Sequence, residues 1–105
     1  LKNKQPLTIV PDGEQRRDFT HVSDVVSANI LASTVKMEKY GEVFNLGTGT
    51  NHSVNELADL ISKDTMMIDP RVGESRETLA NIEKAKTVLG WEPKVRLEDW
   101  IASQL

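Results

Sequence analysis

PLTIVPDGEQRRDFTHVSDVV, running from Pro6 to Val26, is the stretch from which the rest of the chain can be read. Its apolar opening, Leu7, Ile9 and Val10, has the character of a short strand. Pro11 ends that strand because it cannot donate to a ladder, and Asp12-Gly13 completes a turn. After the polar Glu14 to Arg17, the alternation from Asp18 to Val22 predicts a second strand, and Ser23 is placed to cap a helix. A guanidinium at the mouth of such a strand can grip a phosphate with two parallel donors. That makes the Arg16-Arg17 pair the place where a site hypothesis starts.

Outward from this stretch, Val26, Ile30, Leu31 and Val35 recur at helical spacing. Lys36 and Lys39 fall in the expected last turn and Gly41 follows it. Glu42 to Leu46 reads as a third strand, closed by the loop Gly47-Thr48-Gly49. Ser53-Val54-Asn55-Glu56 has the form of a capping box, worth about 1 kcal/mol, in which the serine and the glutamate each satisfy a free amide. Leu57, Leu60 and Ile61 supply the apolar stripe behind it.

Thr65 to Ile68 is a fourth strand candidate, turned by Asp69-Pro70, and the polar loop Arg71 to Arg76 follows. A helix is expected from Asn81 to Leu89 with Ile82, Ala85, Val88 and Leu89 on one face. Gly90 stops it, Trp91 packs on the cap and Pro93 forbids continuation. Leu97, Trp100, Ile101 and Leu105 predict a last amphipathic helix. The mixed order of strands and helices predicts an α/β (α+β) unit with a small mixed sheet and one core, a single domain over residues 1–105.

With 105 residues, 38% of them hydrophobic, and a formal charge of -3, the chain suits one small domain. It does not suit a nucleic-acid or anionic-membrane surface, since the only adjacent basic pair is Arg16-Arg17. There is no cysteine, no membrane-length apolar run and no signal-peptide pattern, which together favour a cytoplasmic location. His21 and His52 lack metal-ligand spacing, so no metal is expected, and His21 reads as a strand residue with a satisfied ring. Arg16 and Arg76 read as solvated charges, Asn51-His52-Ser53 as an incidental sequon, and Trp91 and Trp100 as packing residues. The chain begins at Leu1 rather than methionine, as a fragment or processed product would.

PLTIVPDGEQRRDFTHVSDVV, GEVFNLGTG followed by SVNEL, RVGESRETLAN and KAKTVLGWEP, in that order, resemble the C-terminal part of the extended short-chain dehydrogenase/reductase family. Within it the chain looks closest to nucleotide-sugar epimerases and dehydratases of the UDP-glucose 4-epimerase type. The resemblance implies that Arg17 and Arg71 hold the diphosphate of a sugar nucleotide and that backbone groups on Thr8 to Val10 meet the base. It places Glu74 near the ribose or phosphate end. Pro11 stands where the family usually has glycine, and the connection from Ile61 to Ile68 is several residues shorter than usual.

The family's reaction passes a hydride to NAD and back, with the tyrosine of a Y-x-x-x-K motif as base. Here the only tyrosine is Tyr40, four residues before Phe44, and Gly47-Thr48-Gly49 is not a complete dinucleotide fingerprint. The resemblance therefore implies no catalytic or cofactor-binding residue in this chain. NAD would be bound by an absent N-terminal Rossmann domain, and an exposed apolar patch is expected where that domain sits. The alternatives left open are a free-standing module that binds nucleoside-diphosphate sugars and a non-catalytic docking fragment. Arg17 or Arg71 taken alone could equally be a surface ion-pair partner.

Overall fold

The computed structural model describes residues 4–105, so Leu1 to Asn3 of the polar lead-in lie outside the described residues. Four short strands and three α-helices follow in mixed order: β1 (Leu7–Ile9), β2 (Arg16–Arg17), α1 (Val22–Thr34), β3 (His52–Ser53), α2 (Val54–Ile61), β4 (Thr65–Met67) and α3 (Leu97–Gln104). A one-turn π-helix at Ala85–Leu89 lies between β4 and α3. The strands do not form one mixed sheet. β1 and β4 pair in parallel, Leu7 opposite Thr65, while β2 and β3 pair antiparallel, Arg16 opposite Ser53.

β1 stops before Pro11 as its sequence dictates, and β4 forms despite its short connection. The second strand is displaced. It comprises Arg16 and Arg17 rather than Asp18 to Val22, because the free backbone of β3 and the bridge to Glu77 lie beside Arg16. The segment from Asp18 onward bends away, and His21 becomes the cap of α1: its Nδ1 accepts from the Ser23 amide at 3.0 Å. His21 is therefore a helix cap and not a strand residue, and Ser23 lies inside the helix it was expected to cap.

α1 ends at Thr34, before Lys36 and Lys39, and its expected apolar face is split: Leu31 and Val35 pack on the core while Val26 and Ile30 stay exposed. Asp24 and Ala28 are buried, whereas Val22, Val26 and Ile30 are 69%, 49% and 59% exposed. The reason is a clasp. The Asp24 carboxylate accepts from the amides of Lys94 and Val95 at 3.0 and 3.1 Å, and the Trp91 indole donates to the Asp24 carbonyl at 2.9 Å. Two segments far apart in sequence are held together by one first-turn acid, whose short side chain can reach amides that a leucine would leave unpaired.

The core lies under this clasp and contains Ala28, Ile82, Ala85, Leu89 and Trp91, with Leu31, Val35, Phe44 and Leu46 packed against it. Ile9, Ala58 and Ile101 are buried outside that cluster. The helix expected from Asn81 to Leu89 forms over residues 83–89, its last five, Ala85–Leu89, as a wide π turn, and Val88 is exposed on it. Gly90 ends it at φ +68°, a left-handed conformation that L side chains adopt only with strain. In α3 only Ile101 is buried, and Trp100 is 43% exposed rather than packed inside.

Glu42 to Leu46 forms no strand, having no ladder partner among the described residues. Lys84 holds it instead: its ammonium pairs with Glu42 at 2.8 Å, donates to the Val43 carbonyl at 2.9 Å and lies 4.9 Å from the Phe44 ring centre.

The molecule is a slab of 51 × 31 × 18 Å with a radius of gyration of 16.8 Å, against about 13 Å for a compact chain of this length. Its accessible surface is 7528 Å², where a compact protein of this mass has about 5900 Å². No helix among the described residues is long and apolar enough to cross a membrane.

Candidate functional site

Two loops meet at the carboxyl end of the parallel pair. The first is the turn from Val10 to Gln15, which leads into β2. It rests on the start of α2: the Asn55 amide donates to the Gly13 carbonyl at 2.8 Å and the Val54 amide to the Gln15 carbonyl at 3.0 Å. Helix amides without intrahelical partners are thus satisfied by the turn itself. Gly13, at φ +85°, fits against the Asn55 side chain where any Cβ would collide. Ser53 caps α2 as expected, accepting from the Glu56 amide at 3.0 Å. The capping box is nevertheless half-formed, because the Glu56 carboxylate turns away to Arg16 at 2.8 Å.

The second loop follows β4. Residues 71–79 are all exposed, so no apolar burial shapes it. Polar ties do. Arg76 pairs with Asp12 at 2.8 Å, the Arg16 amide donates to the Arg76 carbonyl at 2.9 Å, and the Thr78 amide donates to the Arg16 carbonyl at 3.0 Å. Arg76 is therefore not a free solvated charge. Its guanidinium holds the Asp12 carboxyl below the usual carboxylate range.

Of the expected binding residues, the structure brings Arg17 and Glu74 together. Arg17 Nη1 donates to the Arg16 carbonyl at 2.7 Å and Nη2 to the Glu74 carboxylate at 3.4 Å, each side chain being about one quarter exposed. Arg71 is exposed and follows β4 on the same side. Three residues of chain keep its Cα within about 11 Å of that of Glu74. Thr8 is exposed on β1, and Val10 is half-buried just beyond it, its carbonyl accepting from Gln15 Nε2 at 3.1 Å. Open carboxyl ends of parallel strands are where ligands of α/β proteins commonly sit.

Four residues carry more of this geometry than their sequence context suggested. Arg16 is no solvated charge: it donates to Asn51 Oδ1 at 2.8 Å, to the Asn51 carbonyl at 2.9 Å and to Glu56 at 2.8 Å, and it keeps the Glu56 carboxyl low. Asn51, the supposed sequon residue, also donates to Glu77 and to the Thr78 carbonyl. Gln15 is buried, and its Oε1 has no protein partner. Asp18 accepts from the Thr48, Gly49 and Ala80 amides. Only one signal in the sequence hinted at Asp18: a glycine loop rich in free amides needs an acceptor, and nothing local says which acid provides it.

That arrangement bears on a dinucleotide as well. The Thr48 and Gly49 amides, which a pyrophosphate would need, are taken by Asp18, and a Cβ on Gly47 would lie 2.5 Å from Ala80 Cβ. The Gly47-Thr48-Gly49 loop spends these two amides inside the chain.

Beside this strip lies a cavity of about 420 Å³ whose lining includes Phe19, Thr48, Asn51, His52, Arg96 and Glu98. His52 Nε2 and Glu98 Oε1 meet there at 2.7 Å. The Glu98 carboxyl is held low by its own backbone amide and then by His52. A neighbouring apolar cleft is lined by His21, Val22 and Trp100 among others. Neither lining includes Arg17, Arg71 or Glu74.

Known proteins resemble this chain in sequence and in fold. A putative UDP-glucose 4-epimerase of Methanocaldococcus jannaschii is 40% identical over 107 residues, covering 96% of this chain and 33% of the relative. The structure of UDP-glucose 4-epimerase from Thermotoga maritima with UDP-glucose superposes with a TM-score of 0.82 at 41% identity, over 91% of this chain and 32% of that one. The UDP-glucuronic acid 4-epimerase of Bacillus cereus, in complex with UDP-glucuronic acid and NAD, gives 0.87 at 32% identity over 96% of this chain and 34% of its own. The chain thus spans about a third of the length of the relatives it matches. A family model described as GDP-mannose 4,6 dehydratase matches residues 1–104, and the chain belongs to that family of NAD-dependent nucleotide-sugar epimerases and dehydratases.

Proposed function

We propose that this chain is the substrate-binding portion of a cytoplasmic UDP-glucose 4-epimerase-like enzyme, in which it grips the diphosphate of a UDP-sugar. The observation that carries the reading is the fastening of the exposed 71–79 loop along β2, with Glu74 on Arg17. This fastening makes the two loops one unit, which supports Arg17 and Arg71 acting on the same ligand. Arg17 and Arg71 neutralise the two phosphates, and the backbone from Thr8 to Val10 receives the base. Glu74 holds the Arg17 guanidinium in place and lies at the ribose end.

Hydride chemistry belongs to NAD on another part of the polypeptide, since the glycine loop here is occupied by Asp18 and Tyr40 lies 78% exposed on the surface. The exposed stripe Val22, Val26 and Ile30, at every fourth position of α1, is the surface that this cofactor domain covers. The slab's high radius of gyration and excess surface support an incomplete unit over a free-standing module.

Calorimetric titration of the full-length polypeptide with UDP-glucose and with UDP tests the reading. Arg17→Ala and Arg71→Ala should each weaken both ligands about ten- to a hundredfold, the equivalent of one charge-assisted bond. Binding unchanged in both variants refutes it.

A further inference from the structure

Asp18 stands directly after Arg17, and its carboxylate collects four donors from two other segments. Oδ1 accepts from the Thr48 amide at 2.8 Å and the Thr48 hydroxyl at 2.6 Å; Oδ2 accepts from the Gly49 amide at 3.1 Å and the Ala80 amide at 3.3 Å. Its own amide donates to the Thr78 hydroxyl at 3.3 Å. We propose that Asp18 is a positioning residue that sets the span between Arg17 and Arg71, and so the fit of the two guanidiniums to a diphosphate. The inference rests on the sugar-nucleotide reading above.

Backbone bonds tie Arg76 and Thr78 to Arg16, and Asn51 reaches Glu77 and the Thr78 carbonyl, but residues before Arg76 have fewer ties. With all nine residues exposed, the loop gains no stability from burial, and burial resumes only at Ala80, which packs on the core. The Asp12–Arg76 pair is a surface ion pair, and such pairs hold geometry weakly. The Arg17–Glu74 contact, at 3.4 Å, is long. Asp18 adds a grip of its own at Ala80, where the loop enters the core, and it is next in sequence to the arginine whose partner the loop carries. Both oxygens are fully used by donors, which an asparagine cannot reproduce, because its NH2 would face two amide hydrogens. A glutamate would need room that Gly47 and Ala80 leave closed, since a Cβ on Gly47 already falls 2.6 Å from Asp18 Oδ2.

The experiment uses the full-length polypeptide and two probes, UDP and uridine, titrated into wild type, Arg17→Ala, Asp18→Asn and the double variant. Asp18→Asn should weaken UDP about tenfold while uridine changes less than about twofold, and the double variant should be no weaker for UDP than Arg17→Ala alone by more than about twofold. Should Asp18→Asn fail to fold, Thr48→Val carries the test: it deletes the 2.6 Å donor together with that hydroxyl's bonds to Thr50. It should then show a UDP-selective loss of about threefold, with uridine changed less than about twofold. Equal losses for both probes, or none, while Arg17→Ala still weakens UDP selectively, overturn the positioning role and leave the site reading standing. If Arg17→Ala leaves UDP binding intact, the site reading falls and this inference with it.

Discussion

Replacing Asp24 by alanine removes both acceptors of the clasp that joins α1 to the segment before α3. The Lys94 and Val95 amides, now bonded at 3.0 and 3.1 Å, lose their partner, while the Trp91 indole keeps its bond to the backbone carbonyl. An amide left unpaired in a buried setting costs about 1–3 kcal/mol. Lys94 is exposed and Val95 half-buried, so water recovers part of that cost. Loss of a first-turn acid adds about 0.3–1 kcal/mol. The sum expected for Asp24→Ala is about 2–4 kcal/mol, a large fraction of the stability of a small domain. Asp24→Asn keeps one oxygen acceptor and should lose less. Urea unfolding followed by tryptophan fluorescence measures both, since Trp91 lies in the core. Asp99→Ala provides the control, an exposed first-turn acid of α3 expected to shift stability by no more than about 0.5 kcal/mol. A loss below about 1 kcal/mol for Asp24→Ala, with the denaturant slope unchanged, would refute the clasp as the device that closes the core.

Gly47→Ala should destabilise by about 1–3 kcal/mol, because its Cβ falls 2.5 Å from Ala80 Cβ and 2.6 Å from Asp18 Oδ2; a urea midpoint equal to wild type would mean that the Asp18 contact is looser than described. Acid should loosen the two loops. The carboxyls of Glu56 and Asp12 are held below their ordinary values of 4.5 and 3.8, first by hydrogen bonds from Arg16 and Arg76. Depressed carboxylates stabilise fully above the ordinary value and lose that contribution as pH falls through the lowered one. Melting temperature should therefore decline below about pH 4.5, and Glu56→Gln with Asp12→Asn should flatten that decline; an unaltered profile in the double variant would count against the ties.

Local chemistry was legible in the sequence and partnership was not. Pro11 stops β1, Ser53 caps α2 and Gly90 ends the π turn because each acts on neighbours a few residues away. β2 lies two residues earlier than its alternation suggests, since what defines it is β3, some 35 residues on in the chain. Asp24 was invisible as a core residue because its donors, Lys94 and Val95, lie about 70 residues away. Arg17 and Glu74 could be paired only through resemblance, for nothing in either residue's surroundings names the other. The same holds for Asp18, whose four donors come from loops that look ordinary on their own.

The outward-facing stripe on α1 shows a different kind of limit. Val22, Val26 and Ile30 keep a helical period as regular as that of a core face, yet they are about half to two thirds exposed, and the face that packs inward sets an aspartate and an alanine beside Leu31. Glu42 to Leu46 repeats the pattern, with strand-like residues and no ladder. Apolar periodicity reports that a surface is buried in the working protein; it does not report which chain does the burying. Both misplaced features, together with a radius of gyration well above the compact value, are accounted for if this segment's periodicity was shaped partly by contacts with the proposed cofactor domain. The core under the Asp24 clasp and the loops around Arg17 were shaped by contacts within it.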